Sequence, residues 1–173
     1  MPYPIFKKQV LLDLGGYDNT LERNQDNDMN QRILNAGHNL YITWKTYCYY
    51  RPQSDLKALM KYAGRNGFWN ARSLQIHARS MRIHHFIPFF FTLGLILLTI
   101  FGLAELLLFK STWALQLLGV FISIHLLLGL FFTIRSLKYE NDGRKIVLPF
   151  IFFAFHFCYG WGTLKGFLKS KDA

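Results

Sequence analysis

The stretch Arg23-Asn-Gln-Asp-Asn-Asp-Met-Asn-Gln-Arg32 holds the residue types and spacing most suited to chemistry in this chain. Asp26 and Asp28 fall in the first turn of a helix that Asn24 or a neighbour can cap. Unpaired backbone amides and the positive end of the helix dipole favour ionised carboxylates there. Such a carboxylate can take a proton from a substrate hydroxyl within hydrogen-bond reach, which is the work of a general base. A plain cap or dipole partner occupies the same place, so spacing alone leaves both roles open.

A second cluster is cationic. Between Asp55 and Glu105 there is no acidic residue. At about 100° per residue, Lys57, Lys61, Arg65, Arg72, Arg79 and Arg82 share an arc of roughly 100° on a continuous helix, with Leu56, Leu59, Met60, Ala63, Leu74 and Met81 on the other side. A helix of this kind before an apolar run suits the headgroup layer of membrane lipids, the expected role of most of these charges. The sharper expectation is that Arg65 and Trp69 also hold a diphosphate-bearing substrate, because the planar guanidinium fork matches phosphate oxygens. A stripe lying against a bilayer argues against nucleic acid as a partner. His84-His85 lacks the i, i+4 placement of paired metal ligands and fits a membrane interface. His125 and His156 lie within apolar runs, where function and packing against polar neighbours are equally open, while Glu105 is near enough to the end of its run to reach water. Cys48 and Cys158 show no pairing logic, and the expected cytoplasmic side keeps thiols reduced.

The elements that position these groups follow from composition. The chain has 173 residues, 51% hydrophobic and 17% charged, with a formal net charge of +10. That is too short for two ordinary domains, too apolar for one soluble domain or a disordered tail, and too poor in cysteine for a disulfide scaffold. Apolar runs over about 86–109, 113–134 and 146–164 are each long enough to cross a bilayer, since twenty helical residues cover roughly 30 Å. The third carries Pro149, His156, Gly160, Gly162 and Gly166, which leaves a re-entrant or tilted helix open. Arg65, Arg72, Arg79 and Arg82 before the first run, and Arg135, Lys138, Arg144 and Lys145 between the second and third, place residues 1–85 in the cytoplasm. Three crossings would then put Lys165, Lys169 and Lys171 outside, against the same rule. Ahead of the runs, the pattern predicts a short helix over 5–14 stopped by Gly15-Gly16 and a second to about Ala36 with Gly37 as its stop. It predicts strands over 38–44 and 46–50, then a helix over 54–80 that can break at Gly64 and Gly67.

Taken together, Pro4-Ile-Phe-Lys-Lys, Gly15-Gly-Tyr-Asp18, Arg23-Asn-Gln-Asp26 with Asn30 and Arg32, Ala36-Gly37, Leu56-Lys-Ala-Leu59, Arg65-Asn-Gly-Phe-Trp69 and His85-Phe-Ile-Pro88 resemble the C-terminal half of membrane-bound family 2 glycosyltransferases. The likeness is to the succinoglycan-biosynthesis (ExoA-type) branch, and Tyr159-Gly-Trp-Gly162 is similar to the end of that branch. The resemblance implies an α+β membrane protein. Residues 1–53 would be the end of a catalytic domain, a partial GT-A-like segment that is mostly helical with two short strands. Residues 54–85 would be a basic interfacial helix, and residues 86–173 would hold two to three transmembrane helices. It implies that Asp26 is the base that deprotonates an acceptor hydroxyl for inverting attack on a nucleotide sugar, with Gln25, Asp28 and Arg32 supporting. It implies that Arg65 and Trp69 contact diphosphate or acceptor; Tyr62 stands where processive relatives have glutamine. A divalent cation, Mg or Mn, is implied for the family, but its ligands are not expected in this chain. Asp26-Asn-Asp28 spells D-x-D, yet in the family that motif follows a strand well before this segment, so no metal is assigned to this copy.

The βαβ half that would supply the nucleotide site cannot be found in this sequence, and 85 aqueous residues make at best a marginal core. The expected function is therefore the acceptor-side and membrane portion of a glycosyltransferase of exopolysaccharide synthesis, inactive alone. Its expected partners are a nucleotide-sugar donor, a glycan or polyprenyl-linked acceptor, membrane lipids, and the missing N-terminal catalytic half or a partner enzyme. The alternative is a non-catalytic membrane subunit or scaffold. A small transporter is disfavoured, because few buried charges give little pathway.

Overall fold

The computed structural model describes residues 4–77, 80–139 and 142–169. The chain folds as helices: α1 (Lys8–Asp13), α2 (Gln25–Asn35), α3 (Leu56–Ile76), α4 (Ile87–Phe109), α5 (Trp113–Leu137) and α6 (Leu148–Leu168), with 3-10 turns at Ile83–Phe86 and Gly143–Val147. α4 and α6 open with Pro88 and Pro149 in their first turns, where the missing amide costs nothing. Three stretches, Ile83–Phe109, Trp113–Leu137 and Gly143–Leu168, are long and apolar enough to cross a membrane.

The aqueous part departs from the expectation. Among the described residues no strand forms, so the two strands over 38–44 and 46–50, and with them the sheet portion of a GT-A-like segment, are absent. Tyr41, Trp44, Tyr47 and Tyr49 carry the aromatic character that suggested strands, but all are exposed and among the described residues there is no neighbouring edge to pair with. An unpaired strand leaves its ladder of amides and carbonyls to water and gains no cross-strand packing. The first helix is shorter than 5–14, beginning only at Lys8.

α3 is unbroken at Gly64 and Gly67 and stops at Ile76 rather than near Ser80. Gly67 serves close packing, since a Cβ there would collide with the Tyr159 carbonyl of α6, and a Cβ on Gly162 would collide with the Gly64 carbonyl. The helix expected over 54–85 packs against α6 along part of its length. Asn70, Ala71, Arg72 and Ser73 are four consecutive buried residues, which between them cover every side of a helix. Arg72 leaves the lipid-facing stripe assigned to it, because its Nη1 donates to Gln75 Oε1 at 3.0 Å and to the Lys169 carbonyl at 3.2 Å. Arg82 lies beyond the end of α3, and Arg79 lies outside the described residues, as does Lys171. Lys57, Lys61 and Arg65 remain exposed.

α4 and α5 form an antiparallel hairpin. Glu105, expected to reach water, closes it: its carboxylate accepts from Ser111 Oγ at 2.6 Å and from the Ala114 amide at 2.9 Å, satisfying an otherwise unpaired donor at the start of α5. His125 and His156 pack ring to ring with 5.1 Å between centroids, and Phe91 stacks on His125 at 4.2 Å. His156 Nδ1 lies 2.9 Å from the Phe152 carbonyl one turn earlier, whereas His125 Nε2 is buried without a hydrogen-bond partner among the described residues.

Candidate functional site

The carboxylate helix is held at its start by an unusual residue. Asn24 occupies the N-cap position of α2 with φ 64°, in the left-handed region that asparagine tolerates better than most residues, and its side chain makes no capping bond to the helix. Its carbonyl accepts the Asp28 amide at 2.9 Å, while its side-chain Nδ2 donates to Asn70 Oδ1 of α3. Asn70 Nδ2 in turn donates to the Tyr159 hydroxyl of α6. Arg23 places its guanidinium 5.2 Å from the centre of the Tyr62 ring, a cation–π contact between the same two segments. The sequence therefore folds so that Arg23-Asn-Gln-Asp26 meets the helix carrying Arg65 and Trp69. Tyr62, Trp69 and Asn70 recur at i, i+7 and i+8, one face of α3.

The predicted site residues divide into two groups. Asp26 is half-buried on the first turn of α2 and is not a free carboxylate. Gln25 uses its side-chain amide on the Leu21 carbonyl, bracing the turn before the helix. Asp28 is wholly buried, with Oδ2 on Arg32 Nε at 2.9 Å. Arg32 also donates from Nη1 to the Leu14 carbonyl and from Nη2 to the Gly16 carbonyl, each at 2.8 Å. Those carbonyls belong to the Gly15-Gly16 turn, whose φ values of 76° and 72° require glycine. Asp28 and Arg32 thus fasten α2 to the turn after α1. The neighbouring Asp18 accepts from the Thr20 hydroxyl and amide at 2.6 and 2.8 Å and lies 2.7 Å from His77 Nε2. The Thr20 hydroxyl first, then its amide and His77, hold the Asp18 carboxyl below the usual carboxylate range.

Two cavities flank these groups. One of about 460 Å³ lies against α2 and is lined by Pro4, Phe6, Val10, Asn30, Ile33 and Tyr41. Asn30 stands one turn after Asp26 on the same face, and its Oδ1 is buried without a hydrogen-bond partner among the described residues. The other, of about 180 Å³, lies between α3 and α6, where Arg65 faces Lys165 and Trp161 across Gly64 and Gly162. Lys165 Nζ lies 5.7 Å from the Trp161 ring centre. Asp26 is not among the lining residues of either cavity, and Trp69 does not line the second.

The Asp26-Asn-Asp28 copy of D-x-D does not fit a metal. Residues two apart on a helix point to opposite sides, and Asp28 is enclosed and bonded to Arg32. Among the described residues no group of three or more His, Cys, Asp or Glu could hold an ion. His84 and His85 lie with rings 4.2 Å apart, but His85 Nδ1 already accepts the Arg82 amide at 3.2 Å.

Sequence reasoning missed the role of Asn70. Asn70 left one signal, a polar residue on the side of α3 that carries Ala63 and Ala71. Tyr159 and Trp161 lie in the Tyr-Gly-Trp-Gly string already singled out. No protein-family profile, curated protein or solved structure matches the chain.

Proposed function

We propose that this chain is the acceptor-side and membrane portion of an inverting glycosyltransferase of polysaccharide synthesis, seated in the inner membrane with residues 1–85 cytoplasmic. Asp26 takes the proton of an acceptor hydroxyl as that oxygen bonds to the anomeric carbon of a nucleotide sugar. The nucleoside diphosphate leaves with the electron pair of the broken C–O bond, and Arg65 and Trp69 receive the diphosphate or the acceptor. The donor site, with any Mg or Mn ion, belongs to a donor-binding half supplied by further sequence or by a second chain, and no step in this account runs through a metal.

The observation that supports this reading is the join between the two motif segments, Asn24 to Asn70 and Arg23 to Tyr62. It fixes the start of the carboxylate helix against α3, which itself packs on the apolar α6, and an acceptor with a lipid tail would present its hydroxyl beside such a pair. A non-catalytic scaffold draws support from a different observation, the commitment of Asp28 and Arg32 to holding the α1–α2 turn.

Membranes from cells carrying the gene, incubated with radiolabelled nucleotide sugars, are expected to move label into a lipid-extractable or polymeric fraction. Deleting the gene abolishes that incorporation and restoring it recovers the signal. Incorporation unaffected by the deletion contradicts the proposal.

A further inference from the structure

The three apolar helices oppose one another in pairs, which three directions along one common axis cannot do. α4 and α5 are antiparallel: Phe91 meets Phe121 and His125, and Gly102 meets Leu115. α5 and α6 also run oppositely, since His125 faces Phe153 and His156, Gly129 lies against Pro149, and the Ser136 carbonyl accepts from Lys145 Nζ. α6 opposes α4 as well. Phe91 meets Phe153, Thr92 Oγ1 donates to the His156 and Phe157 carbonyls, Gly160 abuts Pro88, and Phe167 stacks on Phe86. With α4 and α5 forming the hairpin, α6 must lie across its near end. The far half of the hairpin agrees: the groove there is lined by α4 and α5 residues alone, such as Leu98, Phe101, Trp113 and Leu117, and Leu107, Leu108 and Phe109 are exposed.

The partner of α6 is equally telling. α3 runs parallel beside it, Gly64 against Cys158 and Gly162, Phe68 against Gly166, Arg72 on Lys169. Exposed Arg65 therefore stands beside Cys158, the midpoint of Leu148–Leu168. Asn24, just before the aqueous α2, reaches Tyr159, the next residue, through Asn70. A membrane-crossing α6 would carry Arg65, and with it the start of α2 and Arg23, to the bilayer centre. That is a strongly unfavourable place for a guanidinium and for irregular backbone.

We propose that α6 does not cross. It lies in the plane of one leaflet, at the boundary of headgroups and acyl chains, and its partner is that lipid surface. The chain then crosses twice, through α4 and α5, and Lys165 and Lys169 end on the same side as residues 4–77. All the basic residues on α3 and at the end of α6 fall on one side, removing the conflict that three crossings create with the charge rule. The exposed residues of α6 fit this placement. Phe150, Phe157, Trp161 and Leu168 recur at i, i+7, i+11 and i+18, one narrow stripe, with Lys165 reaching from beside Trp161 toward phosphates. This placement holds whether or not the chain is a transferase.

The test is sidedness in whole cells. Lys45→Cys, Thr112→Cys and Lys169→Cys are made singly in the full chain with Cys48→Ser and Cys158→Ser, and treated with a membrane-impermeant maleimide before and after permeabilisation. Lys45 and Lys169 positions are expected to react as one class and the Thr112 position, in the α4–α5 loop, as the opposite class. Labelling of the Lys169 position together with Thr112 would overturn the proposal. Where a position stays unlabelled, paired alkaline phosphatase and green fluorescent protein fusions after Ala173 and at Lys45 decide. Reporters agreeing at both sites support the in-plane helix, and reporters disagreeing reject it.

Discussion

Asn24, at the start of the carboxylate helix, and Tyr159, at the middle of the third apolar helix, are joined through one side chain, Asn70. The join spans residues far apart in sequence and ties the aqueous segment to the membrane layer. It anchors the residue immediately before α2, the helix that carries Asp26.

Replacing Asn70 by Leu removes an acceptor and a donor at once and leaves Asn24 and Tyr159 without their partner. A buried polar group so orphaned costs about 1–3 kcal/mol. The variant is expected to unfold at lower temperature in detergent, with faster amide exchange over 24–28. Unchanged exchange there would show that the bridge does not hold α2.

Gly162→Ala drives a methyl into the Gly64 carbonyl, a backbone atom that cannot swing aside. Overpacking of this kind costs about 1–3 kcal/mol. Gly119→Ala meets nothing within 4 Å on α5 and is expected to be neutral or slightly stabilising by helix propensity. Thermal unfolding of both variants, compared with the parent, checks the contrast.

Arg32→Ala leaves Asp28 buried without its cation and frees two turn carbonyls, an expected loss of about 3–5 kcal/mol. Arg32→Lys restores charge but not the fork that reaches Asp28, Leu14 and Gly16 together, so it is expected to recover only part. Equal stability of the Lys variant and the parent would show that charge alone matters.

Asp18 supplies a pH dependence whose sign follows from its depressed carboxyl. The folded state holds this proton less tightly than the unfolded chain. Its contribution is therefore present above the unfolded carboxyl value and is lost as pH falls through the lower folded value. Asp18→Asn is expected to lower the unfolding midpoint at neutral pH, and the difference should vanish in strong acid. A difference that persists there would assign the effect to packing.

Local pattern carried part of this fold. The bounds of α2 and the three apolar helices followed from glycine stops, a capping residue and hydrophobic length, all readable within a few residues. The burial of Arg72 did not, because a helical wheel shows which residues share a side but not what stands opposite. The aromatic run 38–50 misled for a related reason: residue type favours a strand, but a strand needs a partner edge, and none is present among the described residues. Gly160, Gly162 and Gly166 lie at close approaches to α3 and α4, which a local pattern does not show. At the candidate site, Asp26, Arg65 and Trp69 were legible as residue types, whereas the Asn24–Asn70–Tyr159 bridge links three helices and has no local signature.

The most direct test is Asp26→Asn in the full-length context, with nucleotide-sugar transfer measured in membranes beside Asp28→Asn. Loss of a general base predicts transfer lowered by about 10²–10⁴-fold with the protein still folded and donor still bound. Asp28→Asn is expected to act through stability rather than turnover. Transfer unchanged by Asp26→Asn would contradict the assignment and leave a membrane scaffold.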